Sequence, residues 1–267
     1  MKRRIFTALA LLVAFINLLP LWLVIKQAFT PERESFAWPP TWFPEQWTWD
    51  NFAKAGEAVP LESGLVLSVG VAVSTVFSTL LLTLPAAWAA ARRARLGLRM
   101  DGAMVVARIF PTIAIAVPLA VIFVGLGLYN DPSGLGLWLA HTLLGLPIAF
   151  LILRAAFAGV PRELEDAARL DGASPAWSFY HVSLPLVRPA LGAAAMLVFL
   201  LSWDEFAYAL LLQVTNRTLP PLLYYLSAFG YPGLSSAVAV LMLVPAVLIL
   251  LILEPALRSG LLAGSGR

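Results

Sequence analysis

The sequence predicts an all-α integral membrane protein with six transmembrane helices. Of its 267 residues, 60% are hydrophobic and only 12% are charged, whereas soluble domains carry about 25% charged residues. The charged residues are confined to short stretches that separate long uncharged segments. At about 20 residues for each spanning helix, the chain accommodates six spans with short connections. We therefore expect one transmembrane domain over residues 1–267.

The uncharged segments give the positions of the predicted spans. The first apolar segment follows Lys2-Arg3-Arg4 and resembles a signal peptide, but it is longer and has no small-residue cleavage site, which indicates an uncleaved span. The later segments end at charged residues or at proline and glycine turns. The six predicted spans are residues 5–28, 63–91, 103–129, 135–157, 187–213 and 235–257, and a long connection covers residues 158–186.

The distribution of basic residues predicts the orientation. The termini and the connections on their side carry 13 Lys and Arg residues, and the connections on the other side carry four. Basic residues concentrate in cytoplasmic connections, so both termini are expected in the cytoplasm. The outer connection of residues 29–62 contains four tryptophans, a residue type that favours the headgroup region. This predicts a segment lying along the outer membrane surface, with stacking of sugar rings as the alternative.

The composition excludes several kinds of site. The chain has no cysteine and only two histidines, His141 and His181, so it predicts neither thiol chemistry nor a metal site. No group of residues forms a recognisable catalytic cluster, and we expect no enzyme activity. A P-loop needs Gly-x-x-x-x-Gly-Lys followed by Ser or Thr, and none of Lys2, Lys26 and Lys54 follows such a sequence. A net charge of +3 gives no indication of nucleic-acid binding.

The connection between the fourth and fifth spans is predicted to form two short helices joined at Gly172. Pro161 suits the first position of a helix, and Gly172 suits the residue after its C-cap. Ser174-Pro175 suits the N-cap and first position of a second helix, which should end before Pro185. We call residues 161–185 the knuckle. From these local rules it is either a docking surface for another protein or an ordinary connection.

The knuckle resembles the EAA loop of binding-protein-dependent ABC importer permeases. That family's pattern is Glu-Ala-Ala, three residues, Gly, nine residues, and Ile-x-Leu-Pro. In this chain it falls, at every spacing, on Asp166-Ala167-Ala168, Gly172 and Val182-Ser183-Leu184-Pro185. Asp replaces Glu, and Val replaces Ile. The stretch Ser202-Trp203-Asp204-Glu205-Phe206 also resembles the fifth span of maltose-type permeases, with Asp204 in place of the usual Asn.

The resemblance implies a type I ABC importer permease that forms half of a translocation pathway in a bacterial or archaeal plasma membrane. It implies a second permease subunit, an external solute-binding protein, and two copies of a cytoplasmic ATPase that binds ATP and Mg, with no cofactor in this chain. The implied solute is a sugar or oligosaccharide. A permease for glycerol-3-phosphate or another polyol derivative is the alternative within the class, and an ion-coupled secondary transporter is the alternative outside it.

The resemblance also identifies candidate site residues, none of them catalytic or metal-binding. The residues expected to couple the chain to the ATPase are Glu165, Asp166, Ala167, Ala168, Asp171, Gly172, Leu184 and Pro185. In the fifth predicted span, Asp204 and Glu205 are costly in a bilayer and should face other helices. With Tyr208, one of these carboxylates either lines the route of a polyhydroxylated solute or forms a structural hydrogen bond.

Overall fold

A computed structural model describes the backbone of residues 2–264 and the side chains of residues 4–252. All regular secondary structure in the described backbone is helical, which confirms the all-α class. Met1 and residues 265–267, which the predicted domain includes, lie outside the described residues. The helices are α1 (Lys2–Ala28), α2 (Glu32–Ser35), α3 (Asp50–Ala58), α4 (Leu61–Arg92), α5 (Ala94–Ala107), α6 (Thr112–Leu126), α7 (Leu135–Ala158), α8 (Arg162–Leu170), α9 (Pro175–Leu186), α10 (Arg188–Trp203), α11 (Ala207–Leu212), α12 (Leu219–Ala228) and α13 (Pro232–Gly264).

Four helices in the described part of the chain are long and apolar enough to cross a membrane on their own. They are α1, α4, α7 and α13. Two bent pairs also qualify when each pair is counted as one span: α5 with α6, bent by 92°, and α9 with α10, bent by 78°. The described residues therefore contain four spans, or six if both bent pairs cross the membrane. This content agrees with a multi-pass membrane protein.

Two of the predicted spans contain breaks. The range 103–129 is interrupted after Ala107, and α6 begins only after Pro111. Proline disfavours helical geometry in the residue before it and has no N–H to continue the ladder, which accounts for this break. The range 187–213 is interrupted between Trp203 and Ala207. Hydrogen bonds from the backbone to the side chain of Glu205, described below, account for the second break.

Contacts divide the chain into two compact units, of which the first comprises residues 1–65 and 219–245. Most of α1 is exposed, as expected for an apolar helix that faces lipid. The end of α1 is fixed because the Asn51 amide donates to the carbonyl oxygens of Ala28 (2.9 Å) and Thr30 (2.8 Å). The four tryptophans of the 29–62 connection are all exposed, with Trp38 at 89%. Their contact with the membrane surface stays a prediction.

The second unit comprises residues 66–218 and 246–267 and is organised around α7. Near one end of α7, Phe150, Leu153 and Phe157 are buried in a cluster with small residues of α4 and α10. Near its other end, Leu137 and Ala140 are buried in a second cluster with α6 and α11. A single helix therefore supports both regions of candidate site residues, the knuckle at one end and the break around Glu205 at the other.

Candidate functional site

The first helix of the knuckle, α8, ends as the sequence predicts. Gly172 has φ +86°, a conformation that favours glycine because it has no Cβ. Its N–H donates to the carbonyl oxygen of Arg169 (3.0 Å), and the next N–H, of Ala173, donates to that of Ala168 (2.9 Å). This is the hydrogen-bond pattern of a Schellman C-cap. At the other end the helix begins at Arg162, so that Pro161 is the N-cap and not the first helical residue as predicted.

The second helix of the knuckle, α9, begins as predicted and ends later. The Ser174 hydroxyl accepts a hydrogen bond from the N–H of Trp177 (3.2 Å), which makes Ser174 the N-cap. The prediction that this helix ends before Pro185 is wrong, because the helical backbone continues to Leu186. A π-helical turn over Phe179–Ser183 changes the backbone hydrogen bonds from the i to i+4 pattern to the i to i+5 pattern. Pro185 then lies at the start of a new helical turn, where an N–H is not needed.

The predicted coupling residues differ in exposure: four are exposed, three are half-buried and one, Glu165, is buried. Asp166, Ala167, Asp171 and Gly172 are exposed; Ala168, Leu184 and Pro185 are half-buried. The Asp166 carboxylate pairs with Arg169 at 3.0 Å within the helix. Leu170, between the acidic residues, is 90% exposed. The knuckle therefore presents an apolar tip flanked by carboxylates and small side chains, a surface that another protein can approach closely.

Glu165 faces away from this surface and is only 2% exposed. Its carboxylate accepts hydrogen bonds from the Arg92 guanidinium, with Nε at 3.0 Å and Nη2 at 2.6 Å from Oε1. It also accepts from the Trp88 indole N–H at 3.0 Å and from the Ser183 hydroxyl. The opposite edge of the guanidinium donates from Nη1 to the carbonyl oxygen of Phe157 at 2.9 Å. Glu165 is therefore an anchor of the knuckle and not part of its exposed face.

The same contacts fix the ionisation state of this anchor. Burial raises the pKa of the Glu165 carboxyl, but the hydrogen bonds from Arg92, Ser183 and Trp88 outweigh burial and lower the pKa from 4.5 to about 2. Donors that hold the ionised form stabilise it against desolvation. Glu165 is therefore a carboxylate at any physiological pH.

The partners of Glu165 are not indicated by any motif in the sequence. Trp88 and Arg92 lie four residues apart at the end of α4, and from the sequence alone Arg92 is only one of the basic residues that predict the orientation. Their spacing places both side chains on one face of the helix, which is the one available signal. Since Arg92 and Glu165 are 73 residues apart, a single sequence cannot pair them.

The second candidate site lies at the break between α10 and α11. Asp204 is exposed, and its carboxylate has no polar partner among the side chains that the structure describes. The Glu205 side chain is 8% exposed, and its two oxygens accept from the backbone N–H groups of Tyr208 and Ala209, each at 3.0 Å. Glu205 therefore caps α11 from within the chain. The two neighbouring carboxylates thus have different surroundings.

A buried histidine of α7 joins this cap. His141 Nε2 lies 3.3 Å from a carboxylate oxygen of Glu205, and its Nδ1 lies 2.7 Å from the Ser202 hydroxyl. His141 is only 1% exposed. This arrangement links α7 to both sides of the break and favours the structural interpretation of Glu205. The described side chains include no group of three His, Cys, Asp or Glu residues placed to hold a metal ion.

A groove of about 490 Å³ opens beside the cap. Glu205 and Tyr208 lie on its wall, together with Arg108 from the α5–α6 break, Thr112 at the start of α6 and apolar side chains of α7. Tyr208 is otherwise buried, at 2% exposure. Two of the three residues predicted to line a solute route therefore border one groove, in which the polar groups are few.

Comparison with known proteins agrees with these observations. Residues 80–261 match the family described as the binding-protein-dependent transport system inner membrane component. The chain is 33% identical to a sulfoquinovosyl glycerol transport system permease protein of Agrobacterium fabrum, over 91% of this chain and 86% of that protein. It is 33% identical to a trehalose transport system permease protein of Mycobacterium tuberculosis, over 83% of each chain.

A solved structure shares the fold. It belongs to a bacterial ABC transporter involved in the import of the acidic polysaccharide alginate, and it matches with a TM-score of 0.76 over 95% of this chain and 97% of that chain, at 17% identity. The match confirms the predicted fold, and the family model adds that this fold is that of a transport-system inner membrane component. The knuckle lies within the residues that match the family, and the chain belongs to the binding-protein-dependent transport system inner membrane components.

Proposed function

We propose that the chain is a permease subunit of an ATP-driven importer for a sugar or oligosaccharide and forms half of the pathway with a second permease subunit. Family membership supports the transport role. The names of two relatives, for sulfoquinovosyl glycerol and trehalose, support a sugar-containing solute. An external binding protein delivers the solute in this proposal, and two copies of a separate ATPase bind ATP and Mg.

The observation that carries the proposal is the geometry of the knuckle. Its tip is exposed at Asp166, Ala167 and Leu170, while its base is fixed by the buried Glu165. A short helical projection that is fixed at its base can pass a rigid-body movement of a bound ATPase to the spans. Because no lysine of this chain follows a P-loop sequence, the ATPase activity resides in the partner.

The coupling is tested by crosslinking, which the absence of native cysteine makes direct. A Leu170→Cys variant in native membranes is treated with a short cysteine–lysine crosslinker, and the product is identified by mass spectrometry. We expect a product that contains a P-loop ATPase. Leu98→Cys is the matched control, because Leu98 is also strongly exposed, at 72%, and lies outside the knuckle. The absence of any ATPase in the Leu170→Cys product contradicts the proposal.

The same single-cysteine approach tests the proposed orientation, in which both termini and the knuckle are cytoplasmic. A Trp38→Cys variant should react with a membrane-impermeant thiol reagent in intact cells, because Trp38 is 89% exposed in the predicted outer connection. Leu170→Cys should react only after permeabilisation. Reaction of both variants in intact cells contradicts this orientation.

The solute class is tested by uptake. Asp204 is the stronger candidate for solute contact of the two acidic residues, because the Glu205 carboxylate already accepts from two backbone N–H groups and lies 3.3 Å from His141 Nε2. Cells that carry the whole transporter are assayed with labelled mono- and disaccharides and with glycerol-3-phosphate. Saturable uptake of a neutral sugar supports the proposal. Uptake of glycerol-3-phosphate alone supports the polyol-derivative alternative, for which Arg108 is the one cation among the described residues that line the groove.

A further inference from the structure

We propose that Arg92 and Glu165 are positioning residues that make the knuckle move together with α4 and α7, so that a displacement of the knuckle becomes a displacement of the spans. The inference rests on the proposed coupling of the knuckle to an ATPase. It goes beyond that coupling, because it assigns the transmission of movement inside this chain to one buried ion pair.

The carboxylate joins three helices at one point. Glu165 belongs to α8, its donors Trp88 and Arg92 belong to α4, and its donor Ser183 belongs to α9. A third guanidinium contact, from Nε to Oε2 at 3.1 Å, engages the second carboxylate oxygen and makes the Arg92 interaction bidentate. Bidentate pairs of this kind fix orientation as well as distance.

The Arg92 guanidinium connects a fourth helix, α7, to this point. Its Nη1 donates to the carbonyl oxygens of Phe157 (2.9 Å) and Val160 (3.4 Å), which belong to the end of α7 and to the residues that follow it. The Phe157 carbonyl oxygen also accepts from the N–H of Val160 (3.2 Å), and a cation is favourable at the carboxyl end of a helix. The Arg92–Glu165 ion pair therefore connects the two helices of the knuckle to both α4 and α7.

Burial makes this connection stiff. The Arg92 side chain is 13% exposed and the Glu165 side chain is 2% exposed, so neither exchanges its contacts readily for water. An apolar contact lies beside it, with the Phe179 ring 5.4 Å from Trp88 and 5.9 Å from Phe157, and Arg162 Nη2 donates to the Arg92 carbonyl oxygen at 3.3 Å. Apolar contacts are not directional and allow sliding. The ion pair therefore fixes the position of the knuckle relative to α4, which the ring contacts alone would allow to slide.

The test is the ratio of ATP hydrolysed to solute taken up by the assembled transporter in vesicles. Glu165→Gln removes the charge at nearly unchanged volume, and Arg92→Lys keeps the charge but loses the fork of donors. We expect both variants to keep ATP hydrolysis while uptake falls, so that the ratio rises about tenfold, because breaking a buried pair is costly. Trp88→Phe removes one donor but keeps an aromatic ring, and a smaller rise of about threefold is expected.

The chain provides a matched control pair. Arg154 and Asp101 also form an ion pair at 2.6 Å, between α7 and α5, with both side chains 26% exposed, and they belong to no part of the knuckle. Asp101→Asn should leave the ratio unchanged. An equal rise for Asp101→Asn overturns the inference, since a general weakening of the bundle would then explain the effect.

Two further outcomes are decisive. If the Glu165→Gln and Arg92→Lys variants lose uptake and hydrolysis in proportion, the pair only maintains folding or assembly, and the inference is overturned. An unchanged ratio in both variants overturns it as well. Crosslinking of Leu170→Cys to the ATPase separates these results from a failure of the proposed function. If that crosslink forms and the ratio of ATP hydrolysed to solute taken up does not change, the proposed coupling to the ATPase is supported and the proposed role of the ion pair is wrong.

Discussion

Glu205→Ala should lower the thermal stability of the protein because it leaves two buried backbone donors without an acceptor. The Tyr208 and Ala209 N–H groups each lie 3.0 Å from a Glu205 oxygen, and both residues are buried. An unsatisfied buried donor costs about 1–3 kcal/mol, so the two together cost about 2–6 kcal/mol. The lower end of this range corresponds to a fall of about 4–8 °C in the unfolding midpoint. The measurement is a thermal unfolding curve of the purified protein in detergent.

The neighbouring acid is the control for this measurement. Asp204 has the same charge and is adjacent in sequence, but it is exposed and its carboxylate has no polar partner among the described side chains. Asp204→Ala should therefore leave the midpoint within about 1 °C, since exposed substitutions are nearly neutral. If Glu205→Ala and Asp204→Ala shift the midpoint equally, Glu205 does not cap α11.

Three further predictions concern other positions. Gly136→Ala should destabilise the protein by about 1–3 kcal/mol in unfolding experiments, because an added Cβ would lie 2.2 Å from the Leu128 carbonyl oxygen; Gly70→Ala, with nothing within 4 Å, should not. The pKa of Glu165 is lower in the folded chain, at about 2 against 4.5, so its stabilisation is complete above pH 4.5 and is lost as the pH falls towards 2. Pepsin cleavage of the knuckle in the native protein should therefore increase as the pH falls from 4.5 to 2. Cleavage by other proteases should not change between about pH 5 and 8. Ser174→Ala removes the N-cap of α9, at a cost of about 1 kcal/mol, and should speed proteolysis of the knuckle while Ser174→Asp restores its resistance.

The features that the sequence predicts well are those that depend on composition or on neighbouring residues. The membrane class follows from the hydrophobic and charged fractions alone. The turn at Gly172 and the cap at Ser174 follow from interactions within a few residues, and the structure confirms both. The late end of α9 was missed because a π-helical turn before Pro185 changes which N–H groups are needed, and no local rule specifies that turn.

The features that could not be predicted depend on pairs of residues far apart in the chain. Glu165 looked like a member of the exposed coupling surface, and only its contact with Arg92 places it at the buried base. The surroundings of Glu205 could not be predicted for the same reason, since His141 lies on a different helix and is far from Glu205 in the sequence. The break after Trp203 was missed for another reason: a carboxylate that satisfies N–H groups further along its own chain permits a helix to stop inside an apolar segment.

The Arg92–Glu165 pair also sets an order of events during synthesis. Arg92 leaves the ribosome 73 residues before Glu165, so the end of α4 is in place while its counter-ion has not yet been made. At elongation rates of about 5–20 residues per second, the guanidinium remains uncompensated for several seconds. A nascent chain arrested before residue 165 therefore carries a solvated cation at this point, and this end of the helix bundle closes only after the knuckle has emerged.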